Sequence, residues 1–262
     1  HVICDKPLTH NLEDAEKFYN CVKNSNALFA LTHNYTGYPM VRQAREMFRS
    51  GEIGKLRVIQ VEYAQDWLTL PIENEGQKQA SWRTDPSKAG MGGSIGDIGS
   101  HAFNLADFIT GAKLEELCAD ISSFVEGRKN DDNAHVLLRY ENGARGMLWS
   151  SQVAPGNENA LKIRIYGDKG GLEWEQENPN YLRVDIFGKA KKIIRRAGNE
   201  TTEMGTRVTR IPPGHPEGYL EGFANIYSDF AKQIFSLKQG VNIDESLKLV
   251  PSIEDGLKGV RF

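Results

Sequence analysis

The period of the apolar positions changes along the chain, and the changes mark its elements. Val2, Ile3 and Cys4 form a short continuous apolar run of the kind a buried strand carries. Over residues 11–24 the period becomes helical. Leu12, Ala15, Phe18, Tyr19 and Val22 share a face, Asn11 is a suitable N-cap, and Glu13, Asp14 and Glu16 suit the positive helix end. Residues 27–31 predict a second buried strand and residues 32–39 a linker. A helix follows over 39–50, opened by Pro39 and stopped by Gly51 or Gly54. Alternation of period two then predicts strands over 56–65, 117–125, 134–140, 144–152, 161–166 and 181–187, with Asn142-Gly143 as a type I′ hairpin turn. Helical period returns over 98–111 and 219–237. A last helix opens at Ser252, where Asp255 three residues on completes a capping box.

These elements predict an α+β fold: a large, mostly antiparallel open sheet with helices on one face. A strand–helix–strand remnant of a parallel α/β domain precedes it. Residues 1–34 are assigned to the remnant and 35–262 to the sheet-rich domain.

A chain of 262 residues is long enough to bury its own core. Its 32 Lys and Arg nearly balance 35 Asp and Glu, and neither a nucleic-acid footprint nor a polybasic membrane surface is expected from a net charge of -3. The basic run over 189–196 alternates around Ile193 and Ile194 and predicts a solvated strand or hairpin. Three cysteines, an odd number without a Cys-x-x-Cys pair, indicate neither a disulfide framework nor a zinc knuckle, and a cytoplasmic location is expected. No apolar run has membrane-spanning length and no signal-peptide pattern is present. The chain opens inside an apolar strand pattern without a starting methionine, so a fragment of a longer protein or an isolated domain is expected.

Candidate chemistry concentrates in residues 82–111. Gly90, Gly92, Gly93, Gly96 and Gly99 mark close backbone approach or positive φ ahead of the helix predicted from Ile98. Asp97 and His101 are four apart, so a carboxylate and an imidazole project from one side, unless Asp97 only caps the helix and His101 only fills a partly buried surface. Trp82 and Arg83 suit an aromatic wall and an anion or hydroxyl donor, or an ordinary surface pair. His215 is fixed in a loop by Gly214, Pro216 and Gly218, where it is either presented to a site or simply polar. Asn34 and Tyr35 follow a strand end, where α/β proteins place ligands. The histidines lack the spacing of a metal motif.

The glycine-rich segment with Asp97 and His101, read together with Asp5-Lys6-Pro7, resembles two motifs of the Gfo/Idh/MocA family of NAD(P)-dependent sugar and polyol oxidoreductases. Residues 45–54 (REMFRSGEIG) and 214–223 (GHPEGYLEGF) extend the resemblance over nearly the whole chain, with Asp5 standing where the family has glutamate. The resemblance implies hydride transfer between NAD or NADP and a secondary hydroxyl of a sugar or polyol. It implies Lys6, Asp97 and His101 as catalytic residues, a cis Lys6-Pro7 bond, cofactor contacts from Asp5, Lys6, Pro7, Trp82 and Arg83, and substrate contacts from Asn34, Tyr35, Asp97, His101 and His215. The family's dinucleotide-binding unit would precede His1.

Alcohol oxidation of this kind needs a base near the hydroxyl and a positive charge for the developing alkoxide. His101, with a pKa close to working pH, suits the first, Lys6 the second, and Asp97 can orient both. Self-association as a dimer or tetramer through the open sheet face is expected. Two other classes stay open at this point: a non-catalytic oligomerisation or scaffold domain, and a metal-dependent lyase or isomerase using Asp97, His101 and His215.

Overall fold

Two sheets of unequal size form in the computed structural model, which describes residues 1–262. The strands are β1 Val2–Cys4, β2 Phe29–Leu31, β3 Leu56–Ala64, β4 Leu114–Ser122, β5 Asn133–Tyr140, β6 Arg145–Ser151, β7 Ala160–Gly167, β8 Gly170–Glu175, β9 Tyr181–Ile186 and β10 Lys192–Arg195. The helices are α1 Leu12–Lys23, α2 Pro39–Arg49, α3 Lys78–Arg83, α4 Pro86–Ala89, α5 Ser100–Thr110, α6 Glu203–Arg207, α7 Tyr219–Lys238 and α8 Ile253–Arg261. The large sheet has the order β10-β9-β8-β7-β3-β6-β5-β4, and only its β3–β6 pair is parallel. The expected α+β architecture is present.

One face of this sheet is covered by α2 and α5. Ile59, Val61, Leu148, Ile163 and Ile165 from the strands meet Met40, Val41, Ala102, Leu105 and Ile109 from the helices in one cluster. Burying each large aliphatic side chain there contributes roughly 1.5–3 kcal/mol. The opposite face is open and leaves Leu137, Met147 and Tyr166 exposed among polar neighbours.

The small parallel sheet pairs β1 with β2 and carries α1. Asn11 caps α1 as its side chain accepts from the backbone N–H of Asp14. The other end of the chain completes this unit: Ile253 and Leu257 of α8 pack with Leu8, Ala15 and Leu31. The capping box of α8 forms, with Ser252 accepting from Asp255 N–H and the Asp255 carboxylate accepting from Ser252 N–H.

Several local expectations are corrected. Residues 32–39 are buried throughout and are no linker. Asn34–Gly37 forms a 3₁₀ turn against α7, and a Cβ on Gly37 would lie 2.1 Å from the carbonyl oxygen of Gly222. The Asn142-Gly143 turn joins β5 to β6, but only Gly143 takes positive φ, and the Asn142 side chain instead accepts from Ala144 N–H at 3.0 Å. This bond fixes the turn without the type I′ conformation. Strand β8 escaped the alternation pattern because it opens on two glycines, and its pairing with β7 and β9 defines it. In the basic run, β10 is solvated on its Ile193 side while Arg196 is buried, donating to the carbonyls of Ile211, Pro212 and His215.

Candidate active site

Asp5 shapes the turn that presents Lys6. Its carboxylate accepts from Lys6 N–H at 2.9 Å and from the Thr32 hydroxyl, and the Lys6-Pro7 bond is cis. The Lys6 ammonium donates to Asp97 twice, to its backbone carbonyl and to Oδ1 at 3.0 Å. Arg83 Nε donates to Asp97 Oδ2 at 3.1 Å, and Gln152 Nε2 donates to the same oxygen at 2.9 Å. Four separate parts of the chain therefore meet at one carboxylate. Burial alone would raise the Asp97 pKa, but the charges of Lys6 and Arg83 and the hydrogen bonds from Lys6 and Gln152 hold it below the usual carboxylate value.

The glycines explain how Asp97 reaches this position. Gly90 takes φ +83°, and a Cβ there would come within 2.2 Å of the His10 carbonyl, so the loop packs directly on the segment carrying Lys6. Gly93 leaves room for the Asp131 carbonyl, and the Asp131 carboxylate accepts from the N–H groups of Gly93 and Ile95. The chain then winds through a π-helical turn over Ile95–Gly99 before α5 begins at Ser100. This replaces the regular helix expected from Ile98, and such wide turns recur at functional sites.

His101 points into the same region, its ring held edge-on between Tyr35 at 4.9 Å and His33 at 5.4 Å. Neither ring nitrogen of His101 has a hydrogen-bond partner, and Nδ1 is shut off from solvent, leaving Nε2 as the nitrogen a ligand can reach. Burial, the Lys6 charge and His33 lower its pKa well below the ordinary histidine value. The expectation of a pKa near working pH is thus corrected: the imidazole is neutral across the physiological range. His33 is likewise held down, to about 3, by burial and by Lys6.

Tyr35 lines this cluster from the 3₁₀ turn, while Asn34 beside it is buried with its Nδ2 unpartnered and shut off from solvent. The Tyr35 hydroxyl is 2.7 Å from that of Tyr63, which donates on to Asn159 Oδ1. Gln65 Nε2 also donates to Asn159, and Gln152 Nε2 reaches Gln65 Oε1 at 3.4 Å, so a polar chain runs from Tyr35 back to Asp97. The Arg83 guanidinium lies 4.2 Å from the Trp82 ring centroid while its Nε binds Asp97. Pro7, Trp82, Arg83, Gly92, Gly93 and Asp97 line a cavity of about 250 Å³ beside the carboxylate.

His215 stands apart from this cluster. It is exposed and lines a second cleft, of about 810 Å³, whose walls include Asn159 and Tyr219. The three ligands of the metal reading therefore do not come together, and no group of three His, Cys, Asp or Glu side chains is arranged to hold an ion. Sequence reading passed over His33, Tyr63, Gln65, Gln152 and Asn159. Position one residue before Asn34 was a usable signal for His33, but Gln152 lies just beyond β6 and only the sheet register brings it to Asp97.

Residues 41–173 match the GFO/IDH/MocA C-terminal domain. The chain belongs to the Gfo/Idh/MocA family of oxidoreductases. An oxidoreductase from Sinorhizobium meliloti has a crystal structure 54% identical in sequence, with a TM-score of 0.88 over 100% of this chain and 68% of that one. An inositol dehydrogenase homologue from Azotobacter vinelandii, solved with NADH and myo-inositol, is 32% identical with a TM-score of 0.89 over 100% of this chain and 67% of that one. The uncharacterised oxidoreductase YfiI of Bacillus subtilis (strain 168) is 32% identical over 100% of this chain and 67% of its own length. The chain thus spans about two thirds of the length of each of these Gfo/Idh/MocA relatives. No helix is long and apolar enough to cross a membrane.

Proposed function

We propose that this chain is the substrate-binding part of an NAD(P)-dependent dehydrogenase that transfers a hydride between the nicotinamide and a secondary hydroxyl of a sugar or polyol. The observation that carries the reading is the meeting of Lys6 and Asp97 with a neutral His101 that has no partner on either ring nitrogen. Membership of the Gfo/Idh/MocA family and the NADH and myo-inositol of the Azotobacter vinelandii structure support it.

The residues present fit the nicotinamide end of the cofactor. The 250 Å³ cavity beside Asp97 has an aromatic wall in Trp82, a flat edge in Pro7 and glycine backbone at Gly92 and Gly93 that permits close approach. When bound, the nicotinamide supplies a two-electron hydride acceptor. The chain's own residues do the rest. His101 takes the hydroxyl proton at Nε2, its lowered pKa ensuring that the imidazole stands ready in the basic form. The Lys6 ammonium stabilises the developing alkoxide, worth on the order of 10²–10³ in rate for a single well-placed donor. Asp97 fixes the ammonium by two contacts, and Arg83 and Gln152 fix Asp97.

Residues 1–34 belong, in this proposal, to the dinucleotide-binding unit, joined there by α8, and the remainder forms the substrate domain. Two copies pair through the open sheet face that exposes Leu137, Met147 and Tyr166. Three free cysteines suit a cytoplasmic protein. The test is NAD(P)H formation by the full-length protein over a panel of sugars and cyclic polyols. Turnover of at least one secondary alcohol that is lost in His101→Ala is the expected result, and a panel that gives none rejects the reading.

A further inference from the structure

The cleft containing His215 shares its inner wall with the catalytic cluster. The Tyr38 ring packs 5.7 Å from that of Tyr35, which in turn packs on His101. Asn159, on the same wall, accepts from both Tyr63 and Gln65 of the polar chain leading to Asp97. Tyr219, at the start of α7, is close enough to Asp5 and Asp97 that burial, and then their charges, raise its hydroxyl pKa. At about 810 Å³ the cleft has the size of a site for a ligand larger than one hexose ring.

Its chemistry is that of a neutral, hydroxylated ligand. Amide side chains from Asn159, Gln176, Asn178 and Asn180 line it, and each amide can both donate and accept. The most buried charges cancel, because Arg196 and Glu217 pair at 3.3 Å. The Tyr38 hydroxyl and the Gln176 amide oxygen are buried in this wall without a well-formed hydrogen bond. They are shut off from solvent beside each other, so what Gln176 offers the cleft is its amide nitrogen.

We propose that the substrate is a glycoside or disaccharide: the ring to be oxidised lies at Lys6, Asp97 and His101, and its neutral hydroxylated substituent occupies the cleft lined by Gln176 and His215. This inference rests on the dehydrogenase reading for the first ring only. The second ring is a matter of binding, which calorimetry measures without turnover.

The experiment titrates the full-length protein, with NAD⁺ present, with glucose, galactose, methyl α-glucoside, maltose, cellobiose and lactose, and measures kcat/KM on the same compounds. At least one disaccharide should bind tenfold or more tightly than its component hexoses, and its kcat/KM should exceed theirs. Gln176→Leu should then lower the ratio of disaccharide to hexose affinity at least tenfold, because the variant removes an amide donor from the wall of the cleft. A folded Gln176→Leu protein that keeps the affinity ratio would assign the residue to structure and overturn the proposal. So would disaccharides that bind no better than their hexoses, whether or not the hexoses are oxidised. Absence of turnover on every compound, with tight disaccharide binding retained and sensitive to Gln176→Leu, would reject the dehydrogenase reading and leave the subsite standing.

Discussion

Two aspartates in this molecule are each held by two cations. Asp97 is bound by Lys6 and Arg83, and Asp229 of α7 is bound by Arg42 of α2 and Arg207 of α6 at 2.7–2.8 Å. In both, burial would raise the carboxyl pKa and the cations outweigh it. A perturbed carboxylate alone therefore does not tell a site from a structural clamp. What differs is the surroundings. Around Asp229 three helices lock together, and Arg42 and Asp229 are almost fully buried. Around Asp97 the donors come from a turn, a helix end and a strand end, a cavity adjoins, and two neutral imidazoles stand nearby with buried nitrogens unpaired. Both keep buried nitrogens unpaired, Arg42 Nη2 and Arg207 Nε in the first and the imidazoles in the second, so the adjoining cavity and a neutral imidazole with a reachable nitrogen are what mark the site.

The largest effects that would break this comparison are catalytic. In the full-length enzyme, His101→Ala should lower kcat by about 10²–10⁴, the span for loss of a positioned base. Lys6→Ala should lower it by about 10²–10³ at every pH between 6 and 9, since a fixed charge is lost. Arg207→Met should leave turnover per folded molecule within about threefold of wild type, an order-of-magnitude allowance for a residue outside the site. Steady-state rates, corrected for folded fraction by circular dichroism, check all three.

Stability should move the other way. Asp229→Asn leaves two arginines without their shared anion, one of them fully buried, and should cost about 3–5 kcal/mol in urea unfolding. A loss below about 1 kcal/mol would show that this clamp is no more than a surface pair.

A third difference appears on acidification. The folded-state pKa values of His33 and His101 lie below the ordinary 6.5, so the unfolded chain takes up their protons first. The stability they contribute is complete above about pH 6.5 and is lost as pH falls toward 3. For His33 this amounts to about 1.4 kcal/mol per pH unit through the middle of the window. Unfolding free energies at pH 7.5 and 4.5 should differ by at least about 2 kcal/mol in wild type, and His33→Gln should shrink the difference. The Asp229 clamp adds little to that difference, because the unfolded carboxyl takes up its proton only at about pH 4 and the folded one lower still.

The smallest effect should be that of Asp97→Asn on stability, about 1 kcal/mol or less in either direction. Its side chain is about one-fifth exposed, and its cations can turn to water. The same change should impair turnover by loosening Lys6.

These contrasts also show what was legible in the sequence. Cap residues such as Asn11 and Ser252, and the stripe of α1, act within one turn of chain, so reading them locally succeeded. The motifs of Lys6, Asp97 and His101 stand out because they resemble those of a known family, and the close approach of the glycine loop is visible in its composition. The companions were hidden for a physical reason. Gln152 meets Asp97 from 55 residues away and Asp229 meets Arg42 from 187 residues away, and nothing in the local period of either residue announces its partner. Burial of residues 32–39 was hidden in the same way, since it depends on Gly37 lying against Gly222 in a helix far along the chain.

The most direct test of the site is the rate of NAD(P)H formation by the full-length double variant Lys6→Ala/His101→Ala, measured at saturating cofactor and sugar beside the wild type. The account predicts a loss of at least about 10³ per folded molecule, with the folded fraction read by circular dichroism. Undiminished turnover in the folded double variant would contradict it, and would place both residues with Asp229 as parts of the scaffold.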